Sequence, residues 1–589
     1  MESNRTIARL WRDAVSRERE GAAYLVQHGD HWHDVSWSEA AERVENLANG
    51  LLARGVRKGE AFATLARTTL EWALFDFALA QIGAVGAGIY ANSSPKDVAY
   101  VLAHSESVGV LCEDAAQLEK VDAERASLTG LRHVLTFTDL RALEAEGVAF
   151  KAEHPTALDE AVAAIHEDDL FTFIYTSGTT GPPKACMIRH RNYYSMVSVV
   201  DLLPGYFHGN DLMLLYLPLA HNFGRLMHLA SPYVGYTTAF LPDPLQTADA
   251  MTTLGPTVLP SVPRVYEKIH TAIVSALDET TGAKRRLADW SLGVGREVSA
   301  REAAGLPVTG ALAVKLRVAD RLIFSKIRSR LGGRLRTPIS GGAPLSREIE
   351  EFFDAIGIRI LEAYGLTECT TGVTTNTPQN WRFGTVGQAF PGTELRLAED
   401  GELLVRSETV FAGYYRDPEA TAEVLDADGW VHTGDVAEID ADGFVTITDR
   451  KKDILVTAGG KNIAPQNIEN DLKAAKVVSQ AIVVGDRRPY PAALITLDPI
   501  EIGKWAKAQD ITGGPTELAS DERVRELVQG IVDDVNRDRS NYEQVKRFAI
   551  LPRDFTMEND EVTPTLKLKR KPILEHFATV VESLYDPTP

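Results

Sequence analysis

The sequence predicts an α/β protein: β-sheets of mixed direction layered with helices, followed by a smaller α+β C-terminal unit. Three observations carry this. Helical and short apolar strand patterns alternate through the first half, which implies parallel or mixed sheets covered by helices. From about Gly384 the texture changes to alternating runs around Asp-Gly turns, the chemistry of antiparallel hairpins. A length of 589 residues, 44% of them hydrophobic, exceeds one ordinary domain and supplies more than one core.

Along the chain, SWSEAAERVENLANGLLARGV has helical spacing, with Ser36 or Ser38 as N-cap and Gly55 as stop. Residues 72–90, WALFDFALAQIGAVGAGIY, nearly reach the length of a membrane span. Asp76, Gln81 and the glycines beyond favour a buried helix running into a strand. Strands are expected at Val108–Cys112, Phe171–Tyr175 and Leu212–Leu217. Residues 278–336, rich in Arg, Lys, Ala and Leu, read as a helical insertion ending at Gly332-Gly333. Asp400-Gly401 and Asp442-Gly443 mark two hairpins, and the charged junction after Asp449-Arg450 divides the chain into 1–449 and 450–589. Residues 515–545 read as mostly acidic helix.

Composition excludes several classes. The chain carries 62 Lys plus Arg against 82 Asp plus Glu, a net charge of −20, which disfavours a broad nucleic-acid-binding face while leaving room for a local basic groove. Three cysteines, Cys112, Cys186 and Cys369, cannot build a disulfide framework or a four-cysteine zinc site, and a reducing cytoplasm is the expected setting. The first twenty residues are too polar and acidic for a signal peptide.

The chemistry-bearing segments begin with Thr176-Ser177-Gly178-Thr179-Thr180-Gly181-Pro182-Pro183-Lys184, directly after an apolar strand. Glycines let main-chain N–H groups converge on an anion, hydroxyls add donors, and Lys184 adds a point charge. A Walker loop it is not: Gly-Lys-Ser/Thr never occurs in succession here. Then come Ser340-Gly341-Gly342-Ala343-Pro344-Leu345, Glu362-Ala363-Tyr364-Gly365-Leu366-Thr367-Glu368, His432-Thr433-Gly434-Asp435, Asp449-Arg450-Lys451-Lys452-Asp453, and a basic run at residues 567–571.

In this order the segments resemble the adenylate-forming superfamily: acyl- and aryl-CoA ligases, peptide-synthetase adenylation domains and luciferases. VPRVYEK (262–268), FSKIRSRLGGRLR (324–336) and KNIAPQNIE (461–469) make the chain most similar to long-chain fatty acyl-CoA ligases. The resemblance spans essentially the whole chain. It implies a large N-terminal domain with a β-barrel-like subdomain, a mobile C-terminal cap, and activation of a fatty acid by ATP and Mg2+ before transfer to CoA. Two rivals are an enzyme that passes the acyl group to a carrier protein, and a silent lipid-associated binding protein whose basic helices at 278–336 rest on a membrane. Oligomeric state, acyl chain length and pathway stay open.

The resemblance also implies roles. The loop 176–181 and Lys184 hold the β- and γ-phosphates. Glu368 is the magnesium-associated carboxylate, Thr367 the α-phosphate contact, and Tyr364 stacks on adenine where Gly341 and Gly342 leave room; Ala343 and Gly365 belong to the same nucleotide-binding set. Asp435 takes the ribose hydroxyls and Arg450 supports ribose and phosphate. Lys567 bridges carboxylate and α-phosphate, with Lys569 the alternative because the family's preceding glycine is absent. Lys452 is the hinge about which Ala458–Lys461 swings toward CoA, with a solvated charge as the plain alternative. His221, Asn222, Phe223 and Gly224 fall at the acyl pocket, His221 being equally a packed core histidine. There Asn-Phe-Gly-Arg departs from the family pattern, and Gly224 is expected to widen the pocket mouth. Met227 and Tyr233 line the same wall or belong to the core. Cys369 is expected to be a packing residue, since CoA supplies the thiol.

Overall fold

The structure, a computed structural model, describes residues 4–29, 31–176, 182–458, 461–537, 539–563 and 567–586. Ser36 caps the helix Trp37–Ala53 by accepting from the Glu39 N–H (3.1 Å), and Gly55, at φ +81°, turns the chain out of it. The apolar stretch divides as its glycines demand. Helix Leu70–Ile82 is buried on nearly every side, Gly83 ends it in the left-handed region, and strand Val85–Tyr90 follows. No helix among the described residues is long and apolar enough to cross a membrane.

Among the described residues, two sheets dominate the first 390 positions. One has six strands in the order His133–Thr136, Gly109–Cys112, Ala61–Ala66, Val85–Tyr90, Leu170–Thr176 and Lys184–Arg189; all but the last pair are parallel. The other has nine, with parallel pairings through Leu361–Tyr364, Thr337–Gly341, Val258–Ser261, Leu212–Leu215, Thr237–Phe240 and Tyr24–His28, and antiparallel strands at both ends. Helices Leu70–Ile82 and Asn222–Val234 carry the apolar layer joining them, with Trp72, Phe75, Phe77 and Leu229 fully enclosed. Both hairpins form, Glu394–Leu397 with Glu402–Arg406 and Val431–Ile439 with Val445–Arg450, in one four-stranded antiparallel sheet. Val386 and Gly387 extend it by exchanging backbone hydrogen bonds with Val445 (2.8 Å each).

After helix Pro263–Asp278, the basic region forms helices Gly282–Ala303, Gly310–Ala319 and Ser325–Ser329. From Leu455 onward, the buried apolar residues pack into clusters of their own around the three-stranded sheet Val478–Val484, Ala492–Leu497 and Arg547–Ile550. By contrast, the junction between this part and the body is polar. Helix Pro263–Asp278 meets it through Arg264 and Ser479 (2.8 Å), Glu267 and Lys473 (3.6 Å), Ser275 and Glu501 (2.6 Å), and Asp278 and Lys476 (2.6 Å).

Candidate active site

The site forms where strands Thr337–Gly341 and Leu361–Tyr364 of the nine-stranded sheet end, a crevice outside the carboxyl ends of parallel strands. Gly341 and Gly342 open the loop after the first strand, Gly342 at φ +86°. A Cβ on Gly342 would lie 3.9 Å from Cε of Lys567, so the lysine's stem passes over the glycine pair. After the second strand, Gly365 lets the chain fold back so tightly that a Cβ would sit 1.3 Å from the Thr371 carbonyl. Only glycine permits that turn, which places Thr367 and Glu368 on a short 3-10 helix, Thr367–Cys369.

Tyr364 donates its hydroxyl to Asp435 (2.6 Å), and Arg450, across the antiparallel register from Asp435, lies 3.4 Å from the other carboxylate oxygen. Burial raises the Asp435 pKa; Arg450, the Tyr364 hydroxyl and Lys567 act against that rise. Lys567 itself is half-buried. Burial and the nearby Arg450 push its ammonium down to about 8, while Asp435 and Glu368 hold it up. Its backbone closes a tight loop with Thr563, N–H to hydroxyl at 3.0 Å and carbonyl to N–H at 2.8 Å.

Lys184 opens the strand Lys184–Arg189, cross-strand from Thr176 (Thr176 Oγ1 to Lys184 O, 3.4 Å). Ser177, Gly178, Thr179, Thr180 and Gly181 lie outside the described residues. The Lys184 ammonium stands 5.1 Å over the ring of Tyr414, and the Tyr414 hydroxyl donates to Glu368. Lys184, Glu368, Asp435, Arg450 and Lys567 thus face one volume beside Tyr364 and the glycine pair, where a nucleotide's phosphates would find cations and its ribose a carboxylate.

Against this geometry, residues 11–415 match the AMP-binding enzyme family and residues 452–588 match the C-terminal domain of AMP-binding enzymes. The chain belongs to the AMP-binding enzyme family. It is 39% identical over 583 residues to the long-chain-fatty-acid–CoA ligase FadD15 of Mycobacterium bovis, covering 97% of this chain and 96% of that one. It is 30% identical to the peroxisomal long chain acyl-CoA synthetase 6 of Arabidopsis thaliana, covering 94% and 81%. In fold it is similar to the adenylation domain of a carboxylate reductase from Mycobacterium chelonae (TM-score 0.76, 23% identity, 98% and 91% covered). The anthranilate CoA ligase AuaEII, solved with anthranoyl-AMP, is a second such neighbour (TM-score 0.74, 20% identity, 98% of each chain).

Other residues singled out in the sequence fall elsewhere. Lys569 reaches Asp560 at the surface and Lys571 lies exposed 4.0 Å from Glu575, so of the three lysines in the basic run only Lys567 turns inward. Within that run Arg570 starts a helix, Arg570–His576, and is paired with Glu469 (2.6 Å). Lys452 is exposed in the turn after strand Val445–Arg450. Lys461 stays outside the cluster, its ammonium 5.8 Å over the Tyr542 ring. Cys369 is fully buried, and burial pushes its thiol well above the ordinary range, against nucleophilic use.

At the expected acyl pocket, His221 is the N-cap of helix Asn222–Val234, its Nδ1 accepting from the Phe223 N–H (3.2 Å); burial and then Lys567 push the imidazole down to about 3. Asn222 is buried between the Tyr193 hydroxyl, which it accepts, and the Thr367 carbonyl (3.4 Å), so it braces the Thr367 turn. Phe223 faces Gly341, 3.4 Å from where a Cβ would be. Gly224 does not widen a pocket mouth. It is buried against the preceding loop, where a Cβ would meet the carbonyls of Pro218 (2.5 Å) and Leu217 (2.7 Å); its smallness brings helix and loop together. Met227 is core, while Tyr233 turns outward to Asp201 (2.5 Å).

Sequence reasoning passed over Tyr414. Its one available signal was its place in the Gly-Tyr-Tyr segment, whose backbone pairs with strand Lys184–Arg189 (Tyr415 N–H to Ala185 O, 2.9 Å) and so carries the ring under Lys184.

Proposed function

We propose that this protein is an ATP-dependent long-chain fatty acid–CoA ligase, forming acyl-adenylate and then acyl-CoA with release of pyrophosphate and AMP. The observation that carries this reading is the insertion of Lys567 beside Asp435, Glu368 and Gly342, at the crevice of a fold and family that make adenylates. A carboxylate is a poor acylating agent because oxide is a poor leaving group. Its oxygen attacks the α-phosphorus of ATP, the bond to the β-phosphate oxygen breaks, and pyrophosphate leaves with the electron pair. The chain's part is positioning and charge neutralisation. Lys184 faces the β- and γ-phosphates, Lys567 spans substrate carboxylate and α-phosphate, Asp435 accepts from the ribose hydroxyls, and Tyr364 lies along the base.

Glu368 fits a magnesium ion in donor chemistry. It offers a hard carboxylate oxygen, the ligand type this cation prefers. When bound, the ion supplies neutralisation of phosphate charge.

For the second step, residues 450–589 form a cap that turns about Lys452 and carries Lys461 toward CoA. The polar junction along helix Pro263–Asp278 supports such a movement, because an exposed ion pair such as Asp278–Lys476 exchanges for water at little cost. The CoA thiolate then attacks the acyl carbonyl and AMP departs. A series of free acids from short to very long, with ATP, magnesium and CoA, tests the assignment. AMP release that requires CoA and peaks on long chains is expected; release without CoA, or no response to any acid, would remove it.

A peripheral contact with anionic lipid belongs to the same reading. Between Gly310 and Arg336 stand eight Lys or Arg and one Asp, in a chain of net charge −20. Val314 (57% exposed), Val318 (42%) and Leu322 (38%) share one outer face there with Lys315, Arg321 and Lys326. Cosedimentation with vesicles rich in anionic lipid is expected and should fall with salt. Equal cosedimentation with neutral vesicles, or none with either, would refute the contact.

A further inference from the structure

One pair of buried ionisable groups has no part in the chemistry above. Glu350, on helix Arg347–Ala355, and Glu362, on strand Leu361–Tyr364, are 2% and 3% exposed and lie side by side, close enough for their carboxyl groups to share a hydrogen bond. Two carboxylates cannot do this unless one carries a proton. Each also takes one backbone N–H from a loop: Glu362 Oε1 accepts from Leu345 (3.1 Å), and Glu350 Oε2 from Gly384 (2.7 Å). Leu345 closes the segment that begins at Gly341-Gly342, and Glu362 stands two residues before Tyr364. The pair therefore ties both strand-end segments of the nucleotide crevice to the helix beneath, on the side of the sheet away from Phe223.

Few other charges reach it. Arg347, one turn earlier on the helix, attracts Glu350 but is itself 2.7 Å from Glu351. Ser340, Glu362's neighbour in register, contributes a buried hydroxyl and no charge.

We propose that Glu350 and Glu362 form a carboxyl–carboxylate clamp that positions the Gly341–Leu345 loop and Tyr364 for nucleotide binding. Glu350 donates its proton to Glu362, which leaves Glu362 free to accept from Leu345. The causes of the two shifts support this occupancy: burial and then repulsion from Glu362 raise Glu350 well above the carboxylate range, while burial raises Glu362 to about 7 against the Leu345 N–H and Glu350, which both lower it. They are positioning residues, because neither touches the reacting atoms.

The inference rests on the nucleotide-site reading, and the two can fail separately. If wild-type protein binds no ATP or AMP, that reading falls; if it binds and the variants below behave like wild type, only the clamp falls. Glu350→Ala removes the donor and the acceptor for Gly384. The KM for ATP and the Kd for AMP should each rise about tenfold while kcat at saturating ATP changes by less than about threefold. In Glu350→Gln the amide N–H replaces the carboxyl proton and the amide oxygen replaces the acceptor, so both constants should return to within about twofold of wild type. A second arm survives even if the alanine variant does not fold. On a Lys567→Ala background, which removes the nearby alkaline-titrating lysine, AMP affinity should weaken as pH rises and the clamp loses its proton. Adding Glu350→Gln should abolish that weakening. Unchanged constants in Glu350→Ala, a Glu350→Gln defect as large as the alanine one, or equal pH slopes with and without Glu350→Gln would each overturn the clamp.

Discussion

Lys567→Ala is expected to lower acyl-adenylate formation by about two to three orders of magnitude, the scale of removing one preorganised charge from a phosphoryl-transfer site. Thioester formation from added acyl-adenylate should change far less if, as proposed, the cap turns in the second step and takes the lysine out of the site. Pyrophosphate-dependent exchange reads the first half-reaction and thioester formation from synthetic adenylate reads the second; equal losses in both would refute the two-orientation reading. The same residue sets a pH dependence. Its ammonium is held at about 8, below the ordinary lysine value, so the cation is present at neutral pH and is lost as pH rises through that point. Adenylation measured as kcat/KM should therefore fall on the alkaline side near about pH 8. Bound triphosphate stabilises the cation, so the limb in kcat should lie higher. A profile flat to about pH 10 would mean that Lys567 does not act as the cation.

The second large effect concerns stability. Asp76 and Arg225, 3% and 1% exposed, form an ion pair between helices Leu70–Ile82 and Asn222–Val234, with the guanidinium also donating to the Leu219 carbonyl (3.3 Å). Burial outweighs the partner's attraction and lifts the Asp76 carboxyl to about 6. Gly86 makes the room: a Cβ there would sit 2.9 Å from the arginine and 3.3 Å from the aspartate. Arg225→Ala strands a buried carboxylate and should cost about 3–5 kcal/mol, whereas joint replacement by Leu and Met of similar volume should cost far less. Thermal unfolding of the two variants checks this. A double variant as unstable as the single one would show that packing, rather than charge burial, dominates at this site.

The pair also shows where sequence reasoning reached its limit. Asp76 was legible as the residue that spoils a membrane span, because hydropathy is a local property. Its partner, 149 positions away in the Asn-Phe-Gly-Arg departure from the family pattern, was not. The departure reads as a change of acyl pocket, yet the fold gives Arg225 to a core ion pair and Gly224 to close packing of helix on loop. Tyr414 was invisible for a related reason: nothing in its neighbourhood says that a bridge to Cys186 carries it between Lys184 and Glu368.

Sequence alone determined the layered α/β class, a helix capped at Ser36 or Ser38 and stopped at Gly55, the hairpins at the Asp-Gly turns, and the order of the chemical segments. Those follow from spacing, capping and turn chemistry, which act over a few residues. Only tertiary structure decided that Lys567 turns inward while Lys569 meets Asp560, that Lys461 stands apart, and that Glu350 and Glu362 share one buried space. A side chain's charge state and partner depend on what the folded chain brings within a few ångströms and how much water it removes, and neither quantity is written in local sequence.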